Sequence, residues 1–241
     1  MKAKKCFVCA SKSAYCLHRR LTKKLAEEIK KIKAKGKSIS KKEQRELKED
    51  ITFGMLADAP VVEERILGYI DNLNGFVVIN TASAKKAEAF LTLLRKTLGT
   101  LSVVPINTNH RPDAVMTNWL KTFSSIPESF EANDECQLEI DNDEKSVVKC
   151  KHLDLTSDEI GAHIETGMSV TKLSLTWNDR VSFVLNADLT LKRLEFFETQ
   201  DDNQDDDDLT TKFEADFMIM HGEITALLKD LISAFGGLSD G

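Results

Sequence analysis

The chain reads as an α+β protein: a projecting basic helical hairpin on a mixed α/β body, with a β-rich part and a long C-terminal helix. Three observations predict it. Residues 17–57 carry apolar positions at helical spacing amid many lysines, residues 65–128 mix helical and strand periods, and the chain from Ser129 alternates as strands before one last amphipathic run. No internal repeat interrupts this order.

In chain order, residues 5–10 (KCFVCA) read as a short strand. A helix from about Leu17 to Lys35 places Leu21, Leu25, Ile29 and Ile32 on one stripe, and Gly36 stands where a C-cap glycine belongs. Ser40-Lys41-Lys42-Glu43 spells a capping box and opens a second helix to about Ala57, with Leu47, Ile51 and Met55 or Leu56 on its apolar face. Each helix has one apolar stripe and a lysine-rich outer face. Too few apolar residues remain to bury the pair on both sides, so it is expected to stand out as an arm.

Beyond Pro60, Arg65–Asp71 and Phe76–Asn80 read as strands joined by Asn72-Leu73-Asn74-Gly75, a hairpin-type turn. Ser83 is expected to cap a helix running to about Leu98, with core positions Ala87, Phe90, Leu91, Leu94 and Leu98, and Gly99 ends it. Leu101–Ile106 reads as a further apolar strand, and Pro112–Thr122 as a short helix carrying Trp119. Strands follow at Gln137–Ile140, Ser146–Lys151, Thr171–Trp177, Arg180–Leu185 and Leu191–Phe197, with a tight turn at Asn178-Asp179 and a helix from Ser157 to Glu165. Asp201–Asp208 is too charged to fold alone and reads as a solvated loop. The last element is an amphipathic helix over Leu209–Phe235, closed by Gly236-Gly237. The expected domains are 1–16, the arm at 17–64, an α/β centre at 65–128 and the β-rich part at 129–241.

Composition bounds the function. The 241 residues are 41% hydrophobic and 30% charged, ordinary for a globular chain. No apolar run approaches the ~20 residues needed to span a bilayer, and the start lacks the pattern of a secretory signal. A cytoplasmic protein without a membrane partner is therefore expected. Five cysteines, at positions 6, 9, 16, 136 and 150, are an odd number and point to reduced thiols. The net charge of −6 conceals a polarity. Residues 1–50 hold 17 Lys/Arg against 6 Asp/Glu, net +11, and the remainder is net −17. A basic head on an acidic body is the footprint of a polyanion binder or of a solvated hairpin, and charge alone leaves both open.

Candidate chemistry is thin. Cys6, Cys9, Cys16 and His18 spell C-x2-C-x6-C-x-H, but the spacing is not that of the common zinc fingers. Cys6 and Cys9 flank Phe7-Val8 in a strand, where positions three apart face opposite ways, so no metal is expected. Glu139, Asp141, Asp154 and Glu159 could supply a nuclease with carboxylates, yet none stands in a metal-binding signature, and the acidic run 201–208 lacks the positions of an EF-hand. There is no P-loop, dinucleotide fingerprint or nucleophile–base signature, so no catalytic residue and no cofactor is assigned. His163 reads as a surface or packing residue, and Trp119 and Trp177 as core. Aromatics interleaved with the basic face are nearly absent, which favours contact with a duplex backbone over base stacking.

An ordered set of motifs goes further. Ile70-Asp71, Asn74-Gly75, Ala82-Ser83-Ala84-Lys85-Lys86-Ala87-Glu88, Leu93-Leu94-Arg95-Lys96, Leu98-Gly99 and Val103-Val104-Pro105 closely resemble the RdgC family. So do Asp154-Leu155-Thr156-Ser157, His163-Ile164-Glu165, Val170-Thr171-Lys172-Leu173, Trp177, Arg180, Leu191-Lys192-Arg193-Leu194, Ala215-Asp216-Phe217 and Gly222-Glu223. The resemblance runs through most of the chain. It implies a recombination-associated, nucleoid-associated protein that dimerises into a ring, encloses duplex DNA without sequence preference and limits access of the RecA recombinase. An older family label suggests exonuclease.

Three departures accompany it. The chain begins inside the family fold, so residues 1–16 are expected to be the remnant of an N-terminal and central sheet. The arm tip, where the family carries an aromatic, Arg-flanked gate segment, reads Ala57-Asp58-Ala59-Pro60-Val61-Val62-Glu63-Glu64 here, so the gate rests on Pro60, Val61 and Val62. The basic/amide pair expected before Asp154 reads His152-Leu153, although Lys151 remains.

The expected contacts to DNA phosphates are Lys23, Lys24, Lys30, Lys31, Lys41, Lys42 and Arg45 on the arm, with Lys85, Lys86, Arg95, Lys96, Lys151 and Lys172 on the body. They would act by neutralising phosphates and releasing counterions, so no single one is indispensable. The rival readings are a metal-dependent exonuclease and a truncated partner module that dimerises with full-length family members.

Overall fold

The computed structural model describes residues 5–13, 17–34, 40–56, 62–140, 146–197 and 209–239. The chain forms two compact units, Met1–Leu101 and Ser102–Gly241. Its elements are those of the α+β class.

The first unit is built on a three-stranded antiparallel sheet in the order β1 (Lys5–Ser13), β2 (Val62–Asp71), β3 (Phe76–Ile79). β1 and β2 run three residues beyond their sequence readings, to Ser13 and back to Val62, because each supplies the other's ladder from Lys5 opposite Ile70 to Ser13 opposite Val62. Local alternation cannot show a pairing between residues so far apart in sequence. Between these two partners the chain inserts the helices α1 (Leu17–Ala34) and α2 (Lys41–Leu56), which pack on each other. Leu25, Ile29 and Ile32 of α1 and Leu47 and Ile51 of α2 are half-buried at the expected spacing, while the intervening lysines are exposed. The capping box closes as read: the Ser40 N–H donates to Glu43 Oε2 at 2.8 Å and the Glu43 N–H to Ser40 Oγ at 3.3 Å. Gly36 lies outside the described residues.

The turn from β2 to β3 is organised by Asp71. This 1%-exposed carboxylate accepts from the Leu73 and Asn74 amides and, at 2.7 Å, from Asn74 Nδ2. The helix α3 (Ala84–Leu98) then lays Phe90 and Leu94 on Ile66. Ser83 sits at its N-cap, but its hydroxyl makes no capping bond. Gly68 of β2 has a specific reason: a Cβ there would lie 2.7 Å from Phe90 Cζ and 3.0 Å from the Val78 carbonyl oxygen. Only glycine lets the helix approach the sheet this closely.

Leu101–Ile106 is not a strand. No ladder forms there among the described residues, and the nearest bridge pairs Thr108 with Leu238. Leu101 packs on the Phe90 cluster and Val104 is 85% exposed, so the apolar pattern reflects a segment crossing from one unit to the next.

The second unit is a five-stranded antiparallel sheet in the order β5-β4-β6-β7-β8: β4 (Phe130–Glu139), β5 (Val147–Lys151), β6 (Ser169–Trp177), β7 (Val181–Asn186) and β8 (Leu191–Phe196). Its apolar face meets α4 (Pro112–Lys121), α5 (Asp158–Glu165) and α6 (Leu209–Ala234) in one core. Both tryptophans belong there, each 3% exposed. Trp119 lies 6.1 Å from the Phe130 ring and 5.4 Å from that of Phe235, and Trp177 donates its indole N–H to Asp230 Oδ2 at 2.9 Å. β4 starts at Phe130, well before the Gln137 expected. Glu131, Asn133, Asp134 and Glu135 hide it, and an irregularity between Ala132 and Cys136 breaks the two-residue period. The Asn178-Asp179 turn takes positive φ at both residues, as a tight hairpin requires. Gly236 ends α6 at φ +82, where a Cβ would meet the His110 ring at 2.8 Å. The acidic run 201–208 lies outside the described residues.

Replacing Gly68 by Ala should destabilise the first unit by about 1–3 kcal/mol, since the new methyl must displace the Phe90 ring. Urea denaturation checks this, and adding Phe90→Leu should return part of the loss, the signature of coupled neighbours.

Candidate nucleic-acid interface

The boundary between the units is also an electrical one. Met1–Leu101 contains 22 Lys/Arg and 11 Asp/Glu, net +11, whereas Ser102–Gly241 contains 11 and 28, net −17. The charge polarity of the sequence is thus a difference between two folded bodies.

On the hairpin, Lys23, Lys24, Lys30, Lys31, Lys41, Lys42 and Arg45 are all exposed. Helical spacing sets some of them beside acids: Lys31 meets Glu28 at 2.7 Å, Arg45 meets Glu49 at 3.5 Å and Lys42 meets Glu46 at 4.0 Å. The Glu28 carboxylate raises the Lys31 pKa by hydrogen bonding and charge, so this lysine stays protonated. Lys23, Lys24, Lys30 and Lys41, like Lys48, have no carboxylate within ion-pair distance among the described residues. One feature escaped sequence reading. Phe53 of α2 is 81% exposed and shares a shallow groove with Arg45, Lys48, Glu49 and Thr52. Its place off the Leu47/Ile51 stripe was the available signal.

On α3, Lys85 and Lys96 are exposed, whereas Lys86 and Arg95 are half-buried. The Arg95 guanidinium is held within the fold: Nη1 meets Glu88 at 3.0 Å and Nε donates to the Leu101 carbonyl at 3.4 Å. It braces the end of α3 more than it offers a free cation.

The remaining two candidates, Lys151 and Lys172, fall in the second unit, on the sheet face opposite the core. The ladders place Lys149, Gln137, Lys172 and Asn186 in one row across β5, β4, β6 and β7, with Lys151 opposite Glu135 beside it. Lys172 is half-buried and donates to Gln137 Oε1 at 2.9 Å, while the Gln137 amide donates to Glu139. Lys151 lies 3.7 Å from Glu135, which also receives Arg193 Nη2 at 2.6 Å. Lys149 and Arg193 belong to this face and were missed, because only strand register reveals them. The Arg193 hydrogen bond, with the charges of Arg193 and Lys151, holds the Glu135 carboxyl below the usual carboxylate range. His152, where the resemblance led a basic/amide pair to be expected, has φ +53 and faces Asp134 Oδ2 at 2.9 Å.

Of the gate residues, Pro60 and Val61 lie outside the described residues. Val62 is the first residue of β2, opposite Ser13, and Glu63 and Glu64 follow it in the ladder. Of the zinc-like set, Cys6 and Cys9 stand in β1 opposite Tyr69 and Ile66, and Cys16 lies outside the described residues. Among the nuclease ingredients, Asp141 is outside them too. Asp154 is committed to the Thr156 hydroxyl and amide at 2.7 and 2.9 Å, which hold its carboxyl below its ordinary range. No group of three or more His, Cys, Asp or Glu side chains among the described residues is placed to hold a metal ion.

In class, then, this is an α+β protein whose positive charge is concentrated on a helical hairpin inserted between two paired strands. Comparison with known proteins is more specific. The family model described as "Putative exonuclease, RdgC" matches residues 2–238. A "Recombination-associated protein RdgC" of Pseudoalteromonas translucida is 40% identical over 242 residues, covering 98% of this chain and 80% of the relative. Its counterpart in Proteus mirabilis is 37% identical over 239 residues (97% and 79%), and that of Salmonella newport 37% over 235 residues (95% and 77%). The chain belongs to the RdgC family.

The Glu135 pair has a pH signature. Its carboxyl titrates below the normal range in the folded chain, so it stabilises the fold above that range and ceases to as pH falls through the depressed value. Glu135→Gln should lower stability at neutral pH by less than about 1 kcal/mol, because the groups are part-exposed. The difference from the parent should vanish in strong acid, as denaturant titrations at two pH values would show.

Proposed function

We propose that this protein binds duplex DNA without sequence preference, acts as a dimer, and limits access of the RecA recombinase to DNA during homologous recombination. The observation that carries this reading is the set of exposed, uncompensated lysines on the hairpin, Lys23, Lys24, Lys30 and Lys41, within a unit of net charge +11. Such charges gain free energy from a polyphosphate by releasing its condensed counterions, whatever the base sequence. The acidic second unit repels the same polymer, so the duplex is drawn to the hairpin and to the few basic strips elsewhere. Membership of a family whose relatives are named recombination-associated supports the recombination role. The bound species is the phosphate backbone, and this reading assigns the chain no bond-breaking step.

Self-association has support in α6. Its N-terminal half leaves Phe213 61%, Met218 52% and Ile219 60% exposed, an apolar surface of the kind that subunit contacts cover. At the arm, two valines and a proline offer less area than an aromatic knob, so the dimer rests mainly on the body and the gate is open or readily opened.

Gel shifts on linear and circular duplexes test this. Log affinity should fall linearly with log salt, by about 0.9 per phosphate contacted, with one curve for all sequences. Replacing Lys23, Lys24, Lys30 and Lys41 by Ala should make the slope shallower by about one per contacting lysine, whereas Phe53→Ala should leave duplex binding unchanged. A marked preference for one sequence sinks the reading. Shortening of end-labelled DNA with Mg²⁺ or Mn²⁺ would instead establish the exonuclease. Retention on circles through a high-salt wash, with loss from linear DNA, would show a closed gate.

A further inference from the structure

Two cysteines that the proposed function does not use stand face to face. Cys136 of β4 is directly opposite Cys150 of β5 in an antiparallel ladder, and both are unbridged and buried, 2% and 9% exposed. Directly opposed residues of such a ladder have Cα atoms about 4.5 or 5.5 Å apart, and disulfides span Cα separations of roughly 4.4–6.8 Å. The spacing of directly opposed residues therefore lies within the range that a disulfide bridges. Among the described residues β5 is moreover the edge strand of its sheet, so local fraying would expose Cys150 before Cys136.

We infer that Cys136 and Cys150 form a cross-strand oxidation site that peroxide converts to a disulfide within the folded protein. The Cys150 thiolate attacks one oxygen of hydrogen peroxide, giving a sulfenic acid and hydroxide. The Cys136 sulfur then displaces that hydroxyl, closing the S–S bond, and the oxygen leaves as water with the Cys136 proton. Two thiols lose two electrons, and one peroxide is reduced to two waters. Burial and the neighbouring thiol push the Cys136 thiol up, and Cys150, on the edge strand, takes the first attack. The bridge joins residues 136 and 150 and pins the edge strand that carries Lys149 and Lys151 to its neighbour. This inference does not depend on DNA binding.

The test treats the folded full chain with excess hydrogen peroxide, blocks remaining thiols and digests it with trypsin without reduction. The expected product joins the peptide Thr122–Lys145 to Cys150-Lys151, two hydrogens lighter than the sum of the reduced pair, and reduction separates them. The oxidised chain should melt roughly 5–10 °C higher than the reduced one, a shift that disappears in Cys150→Ser and, separately, in Cys150→Ala. Three results overturn the inference: alkylation of both cysteines after peroxide, bridges from Cys136 or Cys150 to Cys6, Cys9 or Cys16 in comparable amount, or a link that forms only in denaturant.

Discussion

The exposed charge of the hairpin depends on how α1 and α2 meet their shortage of apolar surface. Each helix offers a single stripe, Leu25-Ile29-Ile32 or Leu47-Ile51, and an isolated helix of such length is marginal in water. Packing α1 against α2 answers that shortage, and the lysines described between the stripes are exposed. Lysines are tolerated there because water screens them, and acids one turn away relieve some of their mutual repulsion. The hairpin is held at its base by the sheet: the chain leaves β1 at Ser13 and resumes in β2 at Val62, its direct partner, so a long insertion ends where it began. The Ser40–Glu43 cap adds a fixed start for the second helix, with the Glu43 carboxyl held below its usual range by the amide and hydroxyl of Ser40.

The second unit solves a different problem. Its five-stranded sheet has one face rich in Val, Leu and Phe, and three helices cover it around Trp119, Trp177 and Phe235. Covering one face releases the other for polar work. That opposite face carries Asn133 bonded to Ser174 and Thr176, Lys172 bonded to Gln137, and Arg193 reaching Glu135. The network gives the lysines fixed positions, at the cost of engaging part of their charge. The hairpin and the sheet face are therefore unlike as sites. One presents exposed ammonium groups, and the other presents an ordered row of donors and acceptors.

Arg95 and Lys151 show why a basic residue in a family motif is not by itself a ligand-binding group. Arg95 braces the end of α3 through Glu88 and Leu101, and Lys151 is offset by Glu135, whereas the hairpin lysines face water. A count of lysines treats all of these alike. Only partners within a few ångströms separate a cation available to a phosphate from one already neutralised.

The sequence by itself determined whatever is settled within a few turns of chain. The α+β class, the two hairpin helices and their stripes, the Ser40–Glu43 cap, the Asn74-Gly75 and Asn178-Asp179 turns, the burial of both tryptophans and the concentration of charge all follow from local spacing and residue chemistry. Tertiary structure decided what depends on partners distant in sequence. Strand β4 was masked by its acids until β5 and β6 supplied its ladder, and Leu101–Ile106 looked like a strand but found no such partner among the described residues. Gly68 is explained by the Phe90 ring above it, and Cys136 acquires its significance from the cysteine across the ladder. The physical reason is common to all four. Backbone propensity and hydrophobic period act between near neighbours, whereas register, close approach and pairing arise only once chain segments far apart in sequence share the same few ångströms of space.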